Sequence, residues 1–226
     1  MRKRVYYHHI AGHSIERLGA LSDGIFAVAM TLLVLDVHVP AGEALHSLAR
    51  VQALWAAGSL VPDQALWSAL GGLAPNVLAY LLSFLTLGMF WVGHQTQLSH
   101  FKRSNRYLTW IHLAFLFGVS LMPFSTGLLA AFITFRVALV LYWLNLLFLG
   151  FTLIASWRYA ERAGLVNEET TDDLRHALQR RIVIAQTLYA IAVAFCVINT
   201  YVSITILVLL QLNSAIAPRI FPLDRF

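Results

Sequence analysis

Apolar residues run in membrane-length blocks along this chain, and the first block sets the pattern for the rest. It reads RLGALSDGIFAVAMTLLVLDVHVP, from Arg17 to Pro40, with no charge between Gly24 and Leu35. A run this long and apolar predicts a transmembrane helix, which Pro40 then stops. Ser22 and Asp23 stand at its start and Asp36 near its end. On a helical wheel, Val28, Thr31, Leu32 and Leu35 follow the i, i+3, i+4, i+7 rule and form one stripe. Relative to Val28, Ser22 lies at about 120° and Asp23 at about 140° in the other direction. The polar pair therefore faces away from the stripe and offers hydrogen bonds to neighbouring helices. Periodicity alone leaves two readings of the stripe. It faces lipid, or it lines a pore.

Between residues 41 and 66, Leu45, Leu48, Val51 and Trp55 recur at helical spacing and predict an interfacial helix on the outer face. Pro62-Asp63 marks a new helix start. A second span is expected over Trp67–Gln97, with Ser83, Thr86, Phe90 and His94 on one face and Trp91 beside them. A third runs over Tyr107–Met122 and ends at Pro123; a fourth runs over Leu128–Trp157. Residues 158–181, which include Glu168, Glu169, Asp172 and Asp173, read as a polar, water-exposed connector. The last block, Ile182–Pro218, exceeds the ~20 residues one span needs. It is either one very long helix or two short ones broken near Asn199-Thr200, and no Gly or Pro marks a break.

Charge placement favours the break. With six spans and both ends in the cytoplasm, 14 of the 16 Lys and Arg residues fall on inner segments, all but Arg50 and Arg136. Five spans would put Arg219 and Arg225 outside. The formal charge of +5 is thus explained by membrane orientation, without a nucleic-acid partner. Composition agrees: 59% hydrophobic and 12% charged residues, with mean hydropathy +0.70, describe a polytopic membrane protein of one domain, residues 1–226. Residues 1–14 are basic but lack a small-residue cleavage site, and so read as a cytoplasmic tail. Its adjacent His8 and His9 lack helical ligand spacing. Cys196 stands alone, which excludes an intrachain disulfide.

Catalytic signatures are missing. There is no Walker loop, GxSxG, HExxH or CxxC. The titratable groups expected within the membrane are Asp23, His94 and His112, with Asp36 and Arg136 near the outer interface. Such groups are packed in hydrogen-bonded networks or serve function. Two functional alternatives follow from them: a proton-coupled carrier using Asp23, and a haem-binding membrane protein using His94 and His112. Asp36 is either a surface acid or a group that concentrates cations at an outer mouth.

Arg17-x-x-x-Leu21-Ser22-Asp23-Gly24 resembles the signature of the transmembrane protein 175 family, the lysosomal potassium channel and its prokaryotic single-repeat relatives. The family pattern is a basic residue, three variable positions, then Phe-Ser-Asp-Gly, so Leu21 replaces the usual Phe. The resemblance continues through IFAVAMTLLVLDV, through Trp91-Val92-Gly93-His94, and through Pro123-Phe124-Ser125-Thr126. It covers roughly residues 15 to 130. It implies an all-α membrane protein with six transmembrane helices per subunit and the first helix lining a central pore in a homotetramer. The implied function is a potassium-selective cation channel in a prokaryotic cell membrane. No enzymatic activity, cofactor, small-molecule substrate or metal beyond transient potassium is implied. Arg17, Ser22, Asp23, Gly24, Trp91 and His94 match the positions that knit the first helix to the second and third. His112 stands where the family has asparagine. Rings of Val28, Leu32 and Leu35 would stack over about 10 Å of pore at 1.5 Å per residue, with Thr31 the one hydroxyl near them. Such rings close conduction by size or by dewetting.

Overall fold

The computed structural model describes residues 14–38, 61–168 and 172–215. The N-terminal tail with His8 and His9, the stop at Pro40, the interfacial helix expected around Leu45–Trp55, and Arg50, Glu169, Arg219 and Arg225 lie outside these residues.

The first helix, α1, spans Ile15–Leu32 and tightens into a 3-10 turn at Leu33–Asp36. Ser14 caps it, its hydroxyl accepting from the Arg17 amide at 3.2 Å. Next come α2 (Val61–Gly72), α3 (Ala74–Ser99), α4 (Arg106–Ala131), α5 (Arg136–Arg162), α6 (Asp172–Ala194) and α7 (Thr200–Ala215). Five of these, α1 with its turn and α3 to α6, are long and apolar enough to cross a bilayer. The sixth, α7, has 16 residues, about 24 Å of helix at 1.5 Å per residue. The protein is an integral membrane protein with six helices available to span.

Helix boundaries moved in three places. The block Trp67–Gln97 is two helices, because the chain turns at Leu73 and restarts with Pro75 in the first turn of α3. Pro123 does not end the third span; α4 carries it inside and continues to Ala131. Proline removes one backbone bond, but packed neighbours and hydroxyl groups make this tolerable within a membrane bundle. Ser125 and Thr126 both donate to the Met122 carbonyl beside it. The fourth span consequently begins at Arg136, not Leu128.

The last block does break near Asn199. A 3-10 turn at Phe195–Val197 ends α6, and the Asn199 side chain accepts from the Tyr201 amide at 2.8 Å to open α7. An asparagine cap does what no Gly or Pro was there to do. Arg136 donates to the Val197 carbonyl at 3.0 Å and so ties the start of α5 to this turn.

Much of the polar stretch 158–181 is helix end. Arg158 to Arg162 complete α5, and Asp172 opens α6. Gly164, with φ of 64°, closes α5 through bonds from Gly164 to Glu161 and from Leu165 to Ala160. Leu165 and Val166 are buried. Val166 pairs with Phe101 from the α3–α4 connection, with Lys102 and Glu168 3.4 Å apart at the surface. The connections after α3 and after α5 therefore meet on one side of the bundle, as alternating spans require. On the other side, Asn76 at the start of α3 donates to the Asp36 carbonyl at 2.9 Å.

The core lies where α4 and α5 pack. Phe115, Val119, Met122 and Leu129 of α4 meet Leu139, Tyr142, Leu146 and Leu149 of α5. Gly118 allows the close approach: a Cβ there would stand 2.8 Å from Leu149 and Phe148. Against this pair α1 lays Phe26, Ala29 and Leu33, while Leu18 joins a second cluster with Leu98, Leu108 and Trp157.

Candidate functional site

Helix α1 has two unlike faces. Leu18, Ser22, Phe26, Ala29 and Leu33 are spaced by three and four residues and are buried against the bundle. The other side is bare in the single chain. Val28, Leu32 and Leu35 are 58%, 43% and 62% exposed, and Thr31 is exposed between them. Leu21 and Gly24 continue the same row, with open space around the Gly24 Cα. The predicted stripe is thus one surface that the described residues leave uncovered. The Thr31 hydroxyl donates back to the carbonyls of Ala27 and Val28, which leaves its oxygen lone pairs free on the exposed side.

The polar residues predicted as one network form two separate groups. In the first, the Trp91 indole N–H donates to Asp23 Oδ1 at 2.8 Å, and the Gln95 amide donates to the same oxygen. This pair of donors comes from successive turns of α3 and pins α1 to it. In the second, His94 Nε2 and His112 Nδ1 are 3.1 Å apart, and His112 Nε2 lies 3.2 Å from the Ser156 hydroxyl. The His94 ring stacks on Phe115 at 4.9 Å. These side chains are buried and join α3, α4 and α5. The two imidazoles touch, so no haem fits between them.

Ser22 belongs to neither group. It is fully buried, but its hydroxyl donates only to Leu18 of its own helix, at 2.8 Å. Arg17 is exposed and makes no ion pair among the described residues; its backbone amide serves the Ser14 cap. Gly24 contributes space, not a bond. Asp36 is half-buried, and its carboxylate turns toward α4: a Cβ on Gly127 would stand 3.0 Å from Asp36 Oδ2.

Sequence reasoning overlooked a third polar group. The Thr126 hydroxyl of α4 lies 2.7 Å from that of Ser83 on α3, and Ser83 lies 3.3 Å from the Tyr142 hydroxyl of α5. Thr86 lies 3.2 Å from the same hydroxyl, and Gln211 of α7 donates to Thr86. This hub joins four helices in the buried middle of the bundle. Its signal was present: Tyr142 and Gln211 are isolated polar groups in apolar spans, which need partners. Gln95 and Ser156 carried the same signal. Among the described residues, no three His, Cys, Asp or Glu side chains gather as a metal site.

Comparison with known proteins follows the same residues. The family described as "Endosomal/lysosomal potassium channel TMEM175" matches residues 17–123, which hold α1, α3 and most of α4. A protein of Streptomyces collinus named as a potassium channel is 31% identical over 160 residues, 69% of each chain. The chain belongs to the TMEM175 family. The crystal structure of a lysosomal potassium-selective channel TMEM175 homologue from Chamaesiphon minutus superposes with a TM-score of 0.71 at 26% identity, covering 91% of this chain and 98% of that one. The bovine endosomal/lysosomal proton channel TMEM175 is 37% identical over 114 residues, 48% of this chain and 21% of that protein. Asp23 and Trp91, which bond to each other, both lie within the matched residues.

Proposed function

We propose that this chain is one subunit of a homotetrameric, potassium-selective channel in a prokaryotic cell membrane, with both termini cytoplasmic and residues 1–226 acting as a single channel domain. It conducts passively and is no enzyme. The observation that carries the reading is the bare stripe of α1. A single α1 encloses nothing, whereas several copies around a symmetry axis do. Val28, Leu32 and Leu35 then form apolar rings that gate by size or dewetting, and the Thr31 ring offers hydroxyl oxygens to a partly hydrated ion. Small residues beside the stripe, Ala20, Gly24 and Ala27, suit close packing of copies.

The anchors have a supporting role. Asp23 with Trp91 and Gln95 holds α1 to α3, while His94 with His112 and Ser156 ties α3, α4 and α5 together behind it. A carboxylate held by two donors is a poor relay for a carrier, and paired imidazoles are poor haem ligands. Asp36 packs toward α4 and acts on cations only through its long-range field. No cofactor or small-molecule substrate enters this function.

Planar-bilayer recording of the purified protein under opposed potassium and sodium gradients tests it. Ohmic single-channel current reversing near the potassium potential is expected. A superimposed pH gradient separates potassium from proton conduction. Saturable, pH-driven flux without unitary current would overturn the reading.

A further inference from the structure

Between α3 and α6 runs a cavity of about 520 Å³, with Leu153 of α5 in its wall and Ser214 of α7 at its edge. That volume falls within the range of about 300–1,000 Å³ usual for small-molecule sites. It lies apart from the bare stripe of α1. Its wall extends along α3 from Phe84 to Gln97, about 20 Å at 1.5 Å per residue. That exceeds the ~15 Å share of one leaflet in a ~30 Å hydrocarbon core, which leaves length for an acyl chain and the base of its headgroup.

The two ends differ in chemistry. Phe84, Leu85 and Met89 make the deeper wall apolar. The other end lies toward the side where the α3–α4 and α5–α6 connections meet. There stand Gln97 and Arg181. Arg181 is exposed and makes no ion pair among the described residues. Gln97 is 2% exposed; its amide donates to the Leu153 carbonyl at 3.2 Å, but its carboxamide oxygen has no donor. Gln186, one level deeper, repeats the arrangement: it donates to the Leu146 carbonyl at 3.0 Å and leaves its oxygen without a partner. Gly150 makes room for that amide, since a Cβ there would overlap it. A buried acceptor without a donor asks for a ligand that supplies one.

We propose that this cavity binds a membrane phospholipid of anionic, hydroxylated headgroup, with an acyl chain along α3. The phosphate meets the Arg181 guanidinium, a headgroup hydroxyl donates to Gln97, and the chain fills the apolar end. Charge selects the head, and the 20 Å apolar wall selects a lipid over a free phosphate.

Purified, delipidated protein exposed to vesicles of phosphatidylglycerol or of phosphatidylcholine with identical chains provides the test, with bound lipid per chain counted by native mass spectrometry. Phosphatidylglycerol should be retained about tenfold better, because phosphatidylcholine has the same phosphate but sets a cation beside Arg181 and has no hydroxyl to donate to Gln97. Arg181→Gln, at an exposed position, should bring retention down to the phosphatidylcholine level. Ala185→Trp, which fills the cavity from its own wall, should reduce retention of both lipids. Inorganic phosphate alone should not displace the bound lipid. Equal retention of the two lipids, unchanged retention in Arg181→Gln, or displacement by phosphate overturns the proposal. So does an Ala185→Trp variant whose oligomer falls apart while its lipid count stays constant, because a neighbouring copy would then be the occupant.

Discussion

Helices α1 and α6 are equally unsheltered within one chain, with 28% and 22% of their most apolar windows buried against 50% for α4 and α5. They differ in what they expose. Across its open surface α6 shows Val183, Thr187, Ile191 and Ala194, with Phe195 just past its end, so bulky groups alternate with single small or hydroxyl ones. Across its own, α1 shows Ala20, Gly24, Ala27 and Thr31 among its larger side chains, together with an acid held by two donors from α3. Lipid does not call for three small residues, Ala20, Gly24 and Ala27, on one exposed helix; close helix packing around an axis does. Lack of burial alone therefore identifies no pore helix. The chemistry of the unburied face does.

The comparison can be broken by equal substitutions on the two helices. Val28→Asn and Leu35→Asn should hydrate an apolar constriction, so that current through otherwise closed channels rises strongly and potassium preference falls. Ile191→Asn should leave current and selectivity unchanged and lower stability by about 1–3 kcal/mol, because an amide then faces hydrocarbon. Bilayer currents and oligomer melting, measured on all three, read both effects. A similar loss of stability in all three, without added current, would make α1 another lipid-facing helix.

A smaller effect is expected at the anchor. Asp23→Ala strands the Trp91 and Gln95 donors and should lower stability by about 1–3 kcal/mol. Thermal melting and oligomer yield would show it, while selectivity in the channels that assemble stays as in the parent. Thr31→Val should weaken potassium preference without opening the closed state, seen as a shifted reversal potential under mixed potassium and sodium. Asp36→Asn should do least: a drop in conductance confined to low salt, because screening removes surface fields. A shifted reversal potential in that variant would move Asp36 into the selective path.

These two helices also mark how far the sequence could be read. The exposed stripe of α1 followed from spacing, because a regular helix carries its face directly into three dimensions. The side to which Asp36 turns did not follow from the sequence, because it lies in a 3-10 turn, Leu33–Asp36, where 100° per residue no longer holds. Charge topology favoured a break in the last block over one long helix, although its cause at Asn199, an asparagine cap, is a local bond that periodicity does not register. Pro123 misled for the opposite reason: local preference stops a helix there, and tertiary packing around Met122 and Ser125 overrides it. Asp23 with Trp91 was legible through family resemblance. Gln95 and the Ser83–Thr86–Thr126–Tyr142–Gln211 hub were not, because partners drawn from four helices share no spacing in sequence.

The central claim is that the open face of α1 meets its own copies around an aqueous axis. Val28→Cys in a Cys196→Ala background addresses it directly, since Cys196 is the one native thiol. If the claim holds, cadmium ions added during bilayer recording block Val28→Cys channels, and mild oxidation joins chains into disulfide-linked dimers. Ile191→Cys in the same background should show neither. Val28→Cys channels that conduct as the parent does, ignore cadmium and never cross-link would contradict the account.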